Sequence, residues 1–287
     1  MKERFDFVFP LGAGCSCSMM LREKGLQLAS FPLDWVGTPD FGAAGDIRVK
    51  AELVANGFRG WFLEENLERA PKYDSPKFVG YLDCGTGLYF THDFGHGADI
   101  HREYPDASAK YARRIERFHK LLSDARSVLA VWVNDPRIPG EVGDEDVAYC
   151  LDVLGRAYPR AKFKIVVVNC AHGVKPEEMR RSVGDGFESY AFDYRVVTEG
   201  EPTWDIRRDL FAPLFERFEV RDYRTRSERI ANARRERARD MEKFHATSSL
   251  DLLLTKMKFK LYRHLQRSLE RKGVIDCNTQ NQTPVNP

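Results

Sequence analysis

The sequence predicts an α/β fold built as a three-layer sandwich, with a mostly parallel sheet in the middle. Three observations predict it. Residues 5–12 (FDFVFPLG), 127–134 (SVLAVWVN) and 162–170 (KFKIVVVNC) are almost unbroken runs of Val, Ile, Leu and Phe. Such runs fit strands covered on both faces, where a half-exposed strand would alternate. Amphipathic patterns lie between them: 106–125 sets Tyr111, Ile115, Phe118 and Leu122 on one helical face, and 144–158 repeats the pattern. With 43% hydrophobic residues among 287, the chain can bury a core of that size.

Taken in order, the first strand ends in the small-residue turn Gly12-Ala13-Gly14, and a helix is expected near Ser16, stopped by Gly25. Residues 38–105 are rich in Gly, Pro and aromatic side chains and read as an insertion or cap over the sheet edge. A weaker strand is expected at 187–194, and one more helix at 203–218 closes the body, which spans 1–220. Residues 221–273 form a basic helical extension: 227–243 are nearly all helix formers, and 248–273 is amphipathic, with Ser at its start and Gly at its end. Residues 274–287 have the composition of a disordered tail.

The net charge of +2 hides an asymmetry. Residues 221–272 hold 16 Lys/Arg against 7 Asp/Glu, whereas 1–220 hold 29 against 35. A basic amphipathic helix either packs its apolar stripe (Leu250, Leu253, Leu254, Met257, Leu261) on the body or lies weakly on an anionic membrane surface. Packing is the preferred reading. An acidic body without a recognition motif argues against nucleic acid as a partner. No apolar run is long enough to span a bilayer, and "MKERFDFVFPLGAG" lacks a signal-peptide core. The expected compartment is therefore the cytoplasm, with a peripheral place on the inner membrane as the alternative. The six cysteines are scattered and show no disulfide framework or zinc-type spacing, so free thiols and no cofactor are expected.

One thiol stands where chemistry is easiest. Cys15 follows a strand end, in the region where open α/β sheets bind ligands. Gly12 and Gly14 allow a tight turn and close approach. A helix starting there turns its free amides and dipole toward negative charge, a setting that lowers a thiol's pKa and can hold an oxyanion. The competing reading of Cys15 is a small buried side chain filling space. Cys17, two residues on, is given a structural role.

A thiol nucleophile needs a base and an orienting group. His92 and His96 lie in YFTHDFGHG, a short aromatic strand that runs into a glycine-rich loop, and His172 follows a strand end in VVVNCAHG. His92 is the first candidate for the base, with Asp93 or Asp34 to orient it. His92, Asp93 and His96 also suit a metal, although no helical zinc motif accompanies them. Asp34, in FPLDW, equally suits a turn anchor, and Trp35 either packs or lines a pocket. Asn134 and Asn169 follow strands and suit either oxyanion donation or turn formation. Arg113, Arg114 and Arg117 share a helix. They cannot all face one way, so a substrate role for Arg113 and Arg117 competes with a salt-bridged surface.

The ordered set LGAGCSCSMMLREKG, FPLDW, FTHDF and KYARRIERFHKLL before SVLAVWV resembles a bacterial family of papain-like cysteine peptidases, formerly a domain of unknown function. The resemblance covers roughly 5–220. It places Cys15, Asp34, Trp35, His92, Asp93, Arg113, Arg114 and Arg117 on the family's elements and implies a cysteine hydrolase. Leu33 stands where the family often has an aromatic residue. The Cys-Gly-Ser-Cys-Trp signature of papain and its upstream glutamine are missing. A nucleophile after the first strand of a parallel sheet, on a Rossmann-like or SGNH-hydrolase-like frame, looks more like a GDSL/SGNH hydrolase with cysteine for serine. That likeness admits acyl transfer beside hydrolysis. It also implies a small-molecule, glycan or acyl substrate, in keeping with the surface-polysaccharide biosynthesis with which such families are associated. The reading set against these is a non-enzymatic protein whose glycine turn and arginines bind a phosphate or sugar nucleotide.

Overall fold

The computed structural model describes residues 2–234 apart from 38–41, 76, 97–98, 139 and 199, together with the helical positions 257, 260, 261 and 264; for Trp204 only the backbone is described. Internal contacts divide the chain into Met1–Tyr223 and Arg224–Pro287.

The first unit opens with β1 (Glu3–Phe5), β2 (Phe7–Pro10) and α1 (Cys15–Glu23). The predicted strand 5–12 is thus split at Asp6, whose carboxylate accepts the amides of Arg126 and Ser127. β3 (Val36–Gly37), α2 (Gly42–Ala55), β4 (Leu67–Arg69), β5 (Phe78–Asp83) and β6 (Leu88–Gly95) come next. The region read as an irregular cap is therefore a helix and a four-stranded antiparallel sheet, ordered β3-β6-β5-β4. α3 (Ile100–Asp124) starts before the predicted 106 because Asp99 caps it, accepting the His101 amide at 3.0 Å; Pro105 lies in its second turn.

β7 (Ser127–Val133), α4 (Asp144–Ala157), β8 (Lys162–Cys170), β9 (Arg180–Gly184) and β10 (Phe187–Phe192) complete the main sheet. Its order is β2-β7-β8-β10-β9, parallel except for the β9–β10 hairpin. The fold is thus α/β with a mostly parallel sheet. The parallel strands follow chain order from one side to the other. A doubly wound, Rossmann-like sheet reverses its order at a switch point, and this one does not.

Both sheet faces are buried, and residues alternate strictly between them. Phe7, Phe9, Val128, Ala130, Trp132, Ile165 and Val167 join the core that receives α2, α3, α4 and the antiparallel sheet. Val8, Leu129, Val131, Val133, Val166 and Val168 join the core under Met20 and Leu21 of α1. The same second core holds Leu214 and Phe215 of α5 (Ala212–Phe215).

The predicted helix 203–218 is mostly something else. A hairpin of β11 (Arg195–Thr198) and β12 (Glu201–Ile206) takes its start, and α5 and β13 (Phe218–Val220) take its end. β13 pairs in parallel with β1.

In the second unit, residues 226–234 are helical. Their start is a capping box: the Thr225 hydroxyl accepts the Glu228 amide, and the Glu228 carboxylate accepts the Thr225 amide. The predicted helix 248–273, apart from four positions, and the tail 274–287 lie outside the described residues.

Candidate active site

The turn after β2 is built by close approach. The amides of Leu11 and Gly12 donate to the Val131 carbonyl at 2.8 and 3.1 Å, so the chain leaves β2 still riding on β7. A Cβ on Gly12 would stand 2.6 Å from the Cβ of Cys17 and 2.7 Å from its sulfur. Gly14 has φ 82° and ψ −159°, a region that only glycine enters cheaply. These two glycines set Cys15 as the first residue of α1.

A lysine absent from the sequence expectations holds this turn from beneath. Lys50 of α2 is fully buried. Its Nζ donates to the Gly12 carbonyl at 2.6 Å and the Val36 carbonyl at 3.2 Å, and lies 5.8 Å from the centre of the Trp132 ring. Burial lowers its pKa to about 8, against the pull of Asp46 and Cys17. Cys17 is the structural thiol expected: it is fully buried, its S–H donates to the Val131 carbonyl at 3.4 Å, and burial pushes its pKa up to about 12.

Cys15 is half-buried. Its own amide favours the thiolate, as a helix start should, but burial outweighs that and raises its pKa. Asp135 and Asp205 add to the rise, and Arg137 opposes it. The expected lowering of this pKa is therefore corrected: at neutral pH the thiol holds its proton, and reaction requires a base. Asp135 grips Arg137 in a fork, accepting Nε at 2.9 Å, Nη2 at 2.6 Å and the Arg137 amide at 2.9 Å. Tyr89 of β6 also belongs here, since the charges acting on its phenol include Arg137, Asp135 and Cys15. Burial pushes that phenol up to about 12, so it remains a hydrogen-bond donor. Gly37 makes room for it: a Cβ there would lie 2.0 Å from the Tyr89 ring.

The structure places the other candidates as follows. His92 keeps an exposed edge but stands between the rings of Trp35 and Phe78, at 5.7 and 5.9 Å. That partial desolvation lowers its pKa, leaving a neutral imidazole at neutral pH. Trp35 lies under the guanidinium of Arg22, seven residues along α1 from Cys15 and therefore about 10 Å down its axis. Among the described residues no hydrogen bond joins Cys15 to an imidazole.

Asp93 does not orient His92: it is paired with Lys110 and accepts the Tyr111 hydroxyl at 3.0 Å, both from α3. Asp34 does not either. It is fully buried as a turn anchor, accepting Arg22 at 2.6 Å, Gln27 at 2.7 Å and the Phe31 amide at 3.0 Å. His96 bonds the Ser75 carbonyl at 2.9 Å, so His92, Asp93 and His96 serve three separate environments. They form no metal-binding group among the described residues. His172 is exposed just beyond β8, on the same sheet edge as Cys15.

Arg113 is exposed, Arg114 lies over the Tyr111 ring, and Arg117 donates to the Ser30 carbonyl at 3.3 Å. Asn134 is buried, and its amide nitrogen donates to the Gly140 carbonyl at 3.0 Å. Asn169 exchanges two hydrogen bonds with the backbone of Val142. The described cysteines are all free. No helix among the described residues is long and apolar enough to cross a membrane.

The sequence reading missed Lys50, Tyr89, Asp135 and Arg137. Asp135 and Arg137 carried a usable signal, an Asp-X-Arg step straight after a buried strand. Lys50 carried none, because a lysine on an amphipathic helix is normally at the surface.

Compared with family models, residues 6–173 match the family described as "Putative papain-like cysteine peptidase". No curated protein and no solved structure matches the chain.

Proposed function

Because the chain belongs to this family, we propose that it is a cysteine-dependent hydrolase with Cys15 as its nucleophile. The position of Cys15 carries the reading: it is half-exposed, first in a helix, and turned to the carboxyl edge of a parallel sheet. Cys17, Cys150 and Cys170 are buried in cores. In this mechanism the thiol gives its proton to a neutral imidazole as sulfur attacks an acyl carbonyl. The α1 amides and the Tyr89 hydroxyl receive the charge that develops on the carbonyl oxygen. The leaving group takes the proton back, and water, or another nucleophile in the acyl-transfer variant, releases the acyl enzyme.

Two imidazoles compete for the proton. His92 has the family position and the lowered pKa suited to a base, and its strand also carries Tyr89. His172 is the second reading, favoured by its place on the Cys15 sheet edge. The nucleophile's place after the first strand of the parallel sheet supports an SGNH-like reading of the site, though not of the strand order. A glycan or acyl-carrier substrate remains part of the proposal.

The test is alkylation of Cys15 with iodoacetamide across pH, beside turnover of a panel of thioesters and peptides, for wild type, Cys15→Ala, His92→Ala and His172→Ala. The reading requires turnover to vanish with Cys15 and with one of the two histidines. Turnover that survives Cys15→Ala ends it.

A further inference from the structure

The carboxyl edge of the parallel sheet carries the same device twice. After β7, Asp135 forks Arg137. After β10, Asp193 forks Arg195, accepting Nε at 2.9 Å, Nη2 at 2.6 Å and the Arg195 amide at 3.1 Å. In both, a carboxylate fixes the guanidinium against the strand end and leaves Nη1 outside the fork. The first fork acts on Cys15. The second opens onto a cleft of about 270 Å³ beside it, lined by Gly173, Lys175, Asp193, Arg195 and Arg207.

That lining has an excess of positive charge. Asp193 is committed to Arg195 and to the Gly173 amide, which donates to it at 3.0 Å. Among the described residues Arg207 pairs only with Asp209, at 3.5 Å with both side chains exposed, and Lys175 makes no ion pair. The Arg207 amide donates to the Tyr194 carbonyl at 2.9 Å, which ties the β12 end to the β10 end and holds the cleft's two walls together.

The cleft and the thiol share neighbours. Asp135 acts on both Cys15 and Cys170, the last residue of β8, and Asp205, two residues before Arg207, acts on Cys15. Strands in a sheet lie about 4.8 Å apart, so the ends of β8 and β10 stand roughly 10–14 Å from the end of β2. Three or four residues of extended peptide, at about 3.4 Å each, cover that span.

We propose that this cleft is a subsite for an anionic group, a carboxylate or phosphate, carried by the substrate some 10–14 Å from the carbonyl that Cys15 attacks. The forked Arg195 lends fixed positive charge, and Lys175 and Arg207 are the groups that close on the anion. The catalytic half of the proposal rests on the hydrolase reading; anion binding by the cleft does not.

Two measurements separate them. Inorganic phosphate and, separately, succinate are titrated at fixed ionic strength into the wild-type chain and into Lys175→Gln/Arg207→Gln, with binding read by NMR. The cleft predicts an affinity loss of about tenfold or more in the double variant; equal affinities, or no binding to wild type, overturn it. Whichever anion binds more tightly distinguishes phosphate from carboxylate. Fluorogenic peptides bearing Asp at successive positions, each paired with its Asn twin, are then turned over by both proteins. A rise in KM confined to one acidic position, with kcat and the Asn twins unchanged, places the subsite on the substrate. Equal effects on both twins remove it from recognition. If Cys15→Ala still turns over the peptides while the anion titration holds, the hydrolase reading falls and the anion site stands.

Discussion

The two larger sheets of the first unit are built on opposite plans, and each contributes to the proposed chemistry. In the parallel sheet every residue of β7 after Ser127 is buried, and its side chains feed two cores in strict alternation. Its ladders run without irregularity. The antiparallel sheet buries one face and slips register between Val79 and Tyr81 opposite the segment that contains His92. Its other face carries side chains in partial contact with water: Tyr89 stacked on Tyr73 at 3.8 Å, and His92 between two rings. The extra residues of this bulge lie on β6 itself, where a bulge re-aims the side chain it carries. The nucleophile is therefore fixed by two cores, whereas His92 sits on the more adjustable framework.

The strongest way to break this contrast is at its fixed end. Cys15→Ala is expected to lower turnover by roughly 10⁴-fold or more while leaving the melting temperature near that of wild type, as measured by steady-state kinetics and calorimetry. At the adjustable end, His92→Ala should lower kcat/KM by about 10²- to 10⁴-fold. Because burial lowers the His92 pKa, its protonation limb in the wild-type pH–rate profile should fall below the ordinary imidazole range, with activity lost as pH drops through it. If His92→Ala leaves both rate and limb intact while His172→Ala removes them, the base belongs to β8 and both catalytic groups stand on the rigid sheet.

Lys50→Met tests what fixes the nucleophile. Two buried carbonyls, of Gly12 and Val36, lose their donor, for an expected loss of about 2–4 kcal/mol in urea unfolding. The folded pKa of Lys50, about 8, lies below that of an unfolded lysine, so the unfolded chain binds more protons between about 8 and 10.5. The wild type therefore gains stability relative to Lys50→Met as pH rises through that window. A difference independent of pH would show that the lysine is charged in both states. Gly14→Ala should cost about 1–3 kcal/mol through its backbone angles alone, since no neighbour lies within 4 Å of the added Cβ. Arg113→Gln, on an exposed face, should stay within about 0.5 kcal/mol of wild type.

The parallel strands were legible because burial on both faces writes itself as uninterrupted apolar runs, and the cysteine turn because glycine marks the bends. Of the antiparallel sheet only β6 was legible, as the short aromatic strand in YFTHDFGHG; β3 is two residues long and β4 three, too short to show a period. The bulge on β6 at His92 breaks the period of two along that strand. The 203–218 segment reads as helix by composition, yet its first half pairs with β11 as a hairpin, a long-range choice that local preference does not reveal. At the site, position was legible and partnership was not. Asp93 follows His92 directly, but neighbours along a strand point to opposite faces, and its carboxylate meets α3 instead. Whether a helix start lowers a thiol's pKa depends on how deeply the thiol is buried, and the sequence carries no measure of that depth.

The enclosure of Lys50 has a practical consequence. Its amine touches two carbonyls and an aromatic ring, and no solvent. An acylating reagent can modify it only when α2 parts from the cysteine turn. The labelling rate of this one lysine, read by mass spectrometry against the exposed lysines as internal controls, is therefore a clock for how often the floor of the turn opens. A substrate that settles on Cys15 and clamps the turn should slow that clock without touching the lysine.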